Sequence, residues 1–237
     1  MPPNARSEFM AGVRAELPIV LGALPFGLIY GVVAVAAGLS PVLAAASSVI
    51  IFAGSAQFIG AELIGVGTPA LVIWATTFII NLRHLLYSTA LAPYTSHLSL
   101  RWKLLLGYLL TDEAYVVTAV YYEKGNAPPE YRHYYWLGAG LALWVSWQLS
   151  TIAGVVFGTQ VPASWSLDFT LALTFIGMVV PLCRYRPNLA AALVAGSVAV
   201  LANGMPYKLG LMVAALAGIA AGVLLERWRP PWVEAAP

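Results

Sequence analysis

The sequence predicts an all-α polytopic membrane protein with about 7–8 transmembrane helices, and three observations predict it. Of 237 residues, 60% are hydrophobic and 9% are charged, whereas a soluble domain carries about a quarter charged residues. The apolar residues fall in runs long enough for the roughly 20-residue helices that cross a bilayer. Between the first runs, "GLSP" (38–41) and "GVGTP" (65–69) are tight turns without charge, which keep consecutive helices together.

In order along the chain, the spans fall near 18–38, 41–66, 69–93, 103–122, 134–158, 166–183, 187–204 and 207–225. The start lacks a signal-peptide layout, since its first apolar run is long enough to span. Phe9, Met10, Val13 and Leu17 recur at helical spacing with Arg6, Glu8, Arg14 and Glu16 between them, the pattern of a short interfacial helix. The whole chain, 1–237, reads as a single membrane domain: N-terminal segment 1–17, first helical half 18–122, polar loop 123–133, second half 134–225 and tail 226–237. The lone cysteine, Cys183, excludes an internal disulfide and a cysteine-based metal site. No metal or cofactor is expected, and a net charge of +2 gives no sign of nucleic-acid binding.

Lys and Arg report orientation. With eight crossings, Arg6, Arg14, Lys124, Arg132, Arg184, Arg186, Arg227 and Arg229 share one side, and Arg101, Lys103 and Lys208 the other. That balance puts both termini in the cytoplasm. The Arg101/Lys103 loop breaks the pattern, which a re-entrant early segment would explain. A faint repeat relates helices 1–3 to helices 5–7. A shift of 123 puts Ile29, Gly31, Val32 and Val33 on Ile152, Gly154, Val155 and Val156, and Phe52 and Gly54 on Phe175 and Gly177. Transporters are commonly built from such repeats, with the site at their interface.

Polar groups interrupt the hydrocarbon at a few places. "NLRH" (81–84) sets Asn81, Arg83 and His84 in a stretch with no other ionisable group from Pro69 to Pro93. "TDEAY" (111–115) puts Asp112 and Glu113 at similar depth on the next span. Carboxylates there are costly unless paired, protonated or hydrated. Arg83 and Asp112 therefore read either as a fixed structural ion pair or as groups that hold a zwitterion. His84 reads as a neutral hydrogen-bonding residue or a proton carrier. "FAGSAQF" (52–58) puts Gly54, Ser55 and Gln57 mid-span, as a cavity wall or as interhelical glue. Pro25 in "GALPFGLIYG" (22–31) reads as a break lining a site or as a packing kink, with Gly27 and Gly31 suited to close helix contact. Gln148 in "SWQLS" adds a further polar group, while Glu62 and Asp168 lie nearer span ends.

Taken together, "LPFGLIYG" (24–31), "FAGSAQF" (52–58), "NLRHLLYS" (81–88), "TDEAY" (111–115) and "WQLST" (147–151) resemble the AzlC family. These are the large subunits of bacterial branched-chain amino acid exporters, and the resemblance covers roughly residues 15–225 in the expected order. It implies a bacterial inner-membrane protein working with a small AzlD-type membrane subunit to move leucine, isoleucine, valine and methionine outward. No G-x-x-x-x-G-K-[ST] loop is present, so an ion gradient, with protons carried by Asp112, Glu113 or His84, is the expected drive. A channel or a non-transporting structural or sensory subunit stays open as an alternative. An enzyme is not expected: Ser55 and His84 are a nominal nucleophile and base that nothing orients.

Overall fold

Asn4 caps the first helix: its side chain accepts from the Ser7 amide while the Ser7 hydroxyl accepts from the Asn4 amide, both at 2.9 Å. This helix, α1 (Ala5–Ala36), runs unbroken through Pro18 and Pro25. The computed structural model describes residues 4–125, 129–157, 183, 185–206 and 209–227, and every regular element among them is helical. They fall into two compact units, residues 1–162 and 163–237. Among the described residues, Ala5–Ala36, Ala70–Thr95, Arg132–Phe157 and Leu209–Arg227 are long and apolar enough to cross a membrane.

The first unit continues with α2 (Pro41–Ile51), α3 (Gly54–Gly65), α4 (Ala70–Asn81), α5 (Arg83–Thr95), α6 (Leu100–Tyr108), α7 (Asp112–Glu123) and α8 (Arg132–Phe157). Its spine is the pairing of α1 with α8. A Cβ on Gly12 would overlap the Tyr135 carbonyl, and one on Gly138 would overlap the Phe9 carbonyl. Further along, Gly31 and Gly154 meet backbone to backbone through Thr151 and Leu28. Since position rises with position along both helices, α1 and α8 run parallel, and only glycine allows so close an approach.

The stretches 41–66 and 103–122, expected as continuous spans, are instead half-helices that fold back. Phe52 ends α2 in the left-handed region (φ 36°, ψ 49°), and Ala53 is extended before α3 begins. The chain therefore reverses. Tyr30 of α1 touches both arms, with its hydroxyl 2.6 Å from that of Ser47 and its ring edge-on to Phe58. Gly65, at the end of α3, returns beside Ala37, where the turn into α2 starts. The second hairpin turns at Leu109–Thr111, where Thr111 is extended and caps α7. Trp102 near its start packs on His133 and Tyr134, and Tyr121 and Tyr122 near its end pack on Tyr135 and Tyr94. Both of its ends therefore lie at the N-terminal end of α8. Its tip lies further along α8, with Leu109 against Gly140. Leu91, Leu106, Leu110, Tyr122 and Trp136 form the apolar core that anchors it.

The two hairpins approach from opposite ends and meet at their tips. Tyr108 donates to the Val49 carbonyl, receives the Trp144 indole N–H at 2.7 Å, and packs its ring on Phe52. Between them runs the α4–α5 helix, interrupted only at Leu82, where the amide turns to the i−3 carbonyl of Ile79. The fold-back corrects the charge assignment. Arg101 and Lys103 flank Trp102 and lie at the same end as Arg6, Arg14, Lys124 and Arg132. There Arg132 donates to the Tyr94 carbonyl at 2.9 Å, and Lys103 donates to that of Ser96 at 3.0 Å.

The second unit shows α9 (Arg186–Leu201) and α10 (Leu209–Arg227) as an antiparallel pair, with Gly218 against Ala195 and Gly210 against Ala202. All but the last residue of the expected span 166–183, with Asp168, the repeat positions Phe175 and Gly177, the basic residues Arg184, Lys208 and Arg229, and most of the tail 226–237 lie outside the described residues.

Candidate functional site

Arg83 opens α5, in the middle of the α4–α5 span. Its Nη1 lies 2.7 Å from Asp112 Oδ2, and its Nη2 donates to the Ser55 hydroxyl at 2.8 Å. Asp112 is the first residue of α7, and Ser55 is the second of α3. Two half-helix N-termini, one from each hairpin, thus converge on one guanidinium. Each such terminus leaves amide N–H groups without an intrahelical partner and carries the positive end of the helix dipole. That favours Asp112 where it sits, and it also favours the carboxylate of a ligand.

The cluster is only partly satisfied. Arg83 Nε, Asp112 Oδ1, Asn81 Oδ1 and His84 Nε2 are buried atoms without a hydrogen-bond partner among the described residues. Both amide atoms of Gln57, 1% exposed on α3 and about half a turn from Ser55, are in the same position. Burying such groups without partners costs about 1–3 kcal/mol each, so this concentration marks a place where polar partners are missing. The side chains of Arg83 and Asp112 are themselves 32% and 38% exposed, leaving the pair open to a ligand. Tyr87 faces Asp112 from further along α5 and stacks on Tyr115 at 4.5 Å. Beside Asn81, an open groove of about 270 Å³ is lined by Ile50, Ile51, Trp74, Thr77 and Phe78.

The structure brings Arg83, Asp112, Glu113, Ser55, Gln57, Asn81 and His84 to the hairpin tips. Gly54 lies just behind, where an added Cβ would come within 3.0 Å of the Trp147 ring. Gln148 is buried on α8 and reaches the Ser48 carbonyl at 3.4 Å, so it braces α2. Pro25 stands apart. It is exposed on an unbroken α1 and opens no helix end, because the helix absorbs its missing N–H without a break. Glu62 is exposed at the far end of α3.

Two acidic residues assigned by sequence to the polar face of an interfacial helix are buried instead. Glu8 is 5% exposed and accepts from the Tyr121 hydroxyl at 2.9 Å, while Glu16 is fully buried. The signal was there in the spacing: Glu8, Gly12, Glu16 and Val20 recur every four residues, which sets them on one helix face. Gly12 draws α8 onto that face, and α7 covers the rest.

Opposed broken helices around an ion pair, in a chain of apolar spans, define a polytopic membrane protein. The family model described as AzlC protein matches residues 18–161, and the chain belongs to that family. It is 26% identical to the inner membrane protein YgaZ of Escherichia coli over 98% of this chain and 94% of that one. An uncharacterized membrane protein of Archaeoglobus fulgidus is 30% identical, over 93% of this chain and 94% of its own. The branched-chain amino acid transport protein AzlC of Bacillus subtilis is 28% identical over 73% of this chain and 68% of its own. No solved structure matches the chain.

Proposed function

We propose that this protein is a gradient-driven exporter of the branched-chain amino acids leucine, isoleucine and valine, and of methionine, which works with a small AzlD-type membrane subunit. The observation that carries the reading is the half-satisfied Arg83–Asp112 pair between two helix N-termini. A zwitterion supplies what this cluster lacks. Its carboxylate meets the free edge of the Arg83 fork and the amides that open α3. Its ammonium meets Asp112 Oδ1 and Asn81 Oδ1. The groove of Ile50, Ile51, Trp74 and Phe78 offers an apolar wall to an aliphatic side chain. The Bacillus subtilis relative, by its name, transports branched-chain amino acids.

We place the protein in the bacterial inner membrane with its N-terminus in the cytoplasm, because the six basic residues gathered at one end of the first unit then obey the positive-inside rule. On this reading the whole chain is one membrane domain. The two hairpins enter the bilayer without crossing it, which lowers the number of crossings below the eight apolar runs. An internal repeat finds support in the α1–α8 seam, where Gly31 faces Gly154 and Gly12 faces Tyr135, both at the 123-residue offset.

Cells expressing the protein with its small partner and loaded with a leucine-containing dipeptide are expected to release leucine faster than controls. Collapsing the proton gradient is expected to slow that release. Efflux equal to that of control cells, at matched internal leucine, would overturn the reading.

A further inference from the structure

Glu16 is fully buried, and neither of its carboxyl oxygens has a hydrogen-bond partner among the described residues. Among the described residues, no cation faces it. The Tyr121–Glu8 bond joins α7 to α1, and eight residues further in along each helix Glu113 and Glu16 stand at the same level. From α8 the neighbouring ionisable group is Tyr135. On α1 itself, Glu8 is engaged by Tyr121 and Arg14 is exposed. The sequence of α2 contains no ionisable group, and the only one in α3, Glu62, lies at the opposite end of the unit. Arg83 binds Asp112 and Ser55 and its charge reaches Glu113, but it does not face Glu16.

Glu16 is fully buried and Glu113 partly so. Two neighbouring carboxyls of which one is cut off from water and from any facing cation resist carrying charge together, and such a pair binds a proton in common. We propose that Glu16 and Glu113 form a proton-binding carboxyl pair, separate from the Arg83–Asp112 pair, through which proton uptake is coupled to substrate release. The coupling rests on the amino acid reading above and follows from adjacency. Glu113 follows Asp112 in the first turn of α7. When the pair loses its proton, a second negative charge stands beside Asp112 and favours a bound ammonium. When a proton returns, that charge is neutralised and the ammonium is released. Protons and amino acid then move in opposite directions, as export against a concentration gradient requires. The route from the basic end lies along the α1–α7 contact. The Glu8–Tyr121 bond occupies its outer part, and the fully buried Thr118 hydroxyl, also without a partner among the described residues, lies further in.

The test has two arms. Infrared titration of the purified full chain in lipid is expected to show the C=O stretch of a protonated carboxyl at neutral pH. Glu16→Gln should remove that band. Glu113→Gln should keep it while weakening proton binding about tenfold, one pH unit in its midpoint. An unchanged band and midpoint in either variant overturns the pair, and Glu113→Gln decides alone if Glu16→Gln does not fold. In membrane vesicles, the ratio of proton-driven leucine flux to leucine counterflow should fall at least about tenfold in Glu16→Gln. A wild-type ratio would overturn the coupling. Absence of leucine counterflow in the wild type would count against the amino acid reading, while the infrared arm would still decide the proton site.

Discussion

Arg83 and Asp112 meet through one nitrogen and one oxygen, 2.7 Å apart, with the Tyr87 side chain also facing Asp112, and they leave Arg83 Nε and Asp112 Oδ1 buried and without a hydrogen-bond partner among the described residues. A pair built only to hold α5 against α7 gains more from a bidentate fork, which uses both parallel hydrogen bonds. The open half of each group is where a zwitterion fits.

Lysine at position 83 tests that geometry. Arg83→Lys retains the charge but offers a single ammonium in place of a planar fork. Losing charge-assisted hydrogen bonds worth about 1.5–3 kcal/mol should weaken leucine binding by roughly 10- to 100-fold. Counterflow measured over a range of leucine concentrations gives the value. Unchanged affinity would show that the fork does not touch the substrate.

Gln57 separates stability from function. Its amide is buried without a hydrogen-bond partner among the described residues, so Gln57→Leu should raise stability by about 1–3 kcal/mol. The same change should lower leucine transport. Thermal unfolding in detergent and counterflow read the two effects. A variant less stable than the wild type would mean that the amide has a structural partner.

The α1–α8 seam predicts a contrast between glycines. An added Cβ at Gly138 would overlap the Phe9 carbonyl, whereas nothing lies within 4 Å of one at Gly22. Gly138→Ala should therefore cost about 1–3 kcal/mol through overpacking. Gly22→Ala should be neutral or slightly stabilising, since alanine favours helix. Equal melting temperatures for the two variants would argue against the close pairing.

Cysteine labelling checks the fold-back. In a Cys183→Ser background, Ser99→Cys and Lys124→Cys should react from the same side of the membrane, and Val66→Cys from the opposite side. Continuous spans over 41–66 and 103–122 would instead pair Val66 with Lys124 and set Ser99 apart.

Much of the site was legible because charge is rare here. Arg83, Asp112 and Glu113 stand out in hydrocarbon, and the cost of leaving them unpaired sets them together before any fold is known. The hairpins were harder to see. Phe52 takes a left-handed conformation that usually falls to glycine or asparagine, and Leu109–Leu110 carries no turn residue, so both half-helix breaks look like continuous apolar helix. Only the misplaced Arg101 and Lys103 hinted at them. Glu16 was missed because α1 extends well past its apolar core, and burial of its first turns depends on α7 and α8 from far along the chain. Pro25 misled in the other direction, since a membrane helix tolerates proline without breaking.

The most direct test of the central claim is leucine efflux from cells carrying both Arg83→Leu and Asp112→Leu. Removing both partners avoids stranding one charge in the membrane, a change that by itself destabilises a protein by about 3–5 kcal/mol. The account predicts a double variant that folds, reaches the membrane in normal amount and moves no leucine above control cells. Near-normal efflux from that variant would contradict it and return Arg83 and Asp112 to a purely structural role.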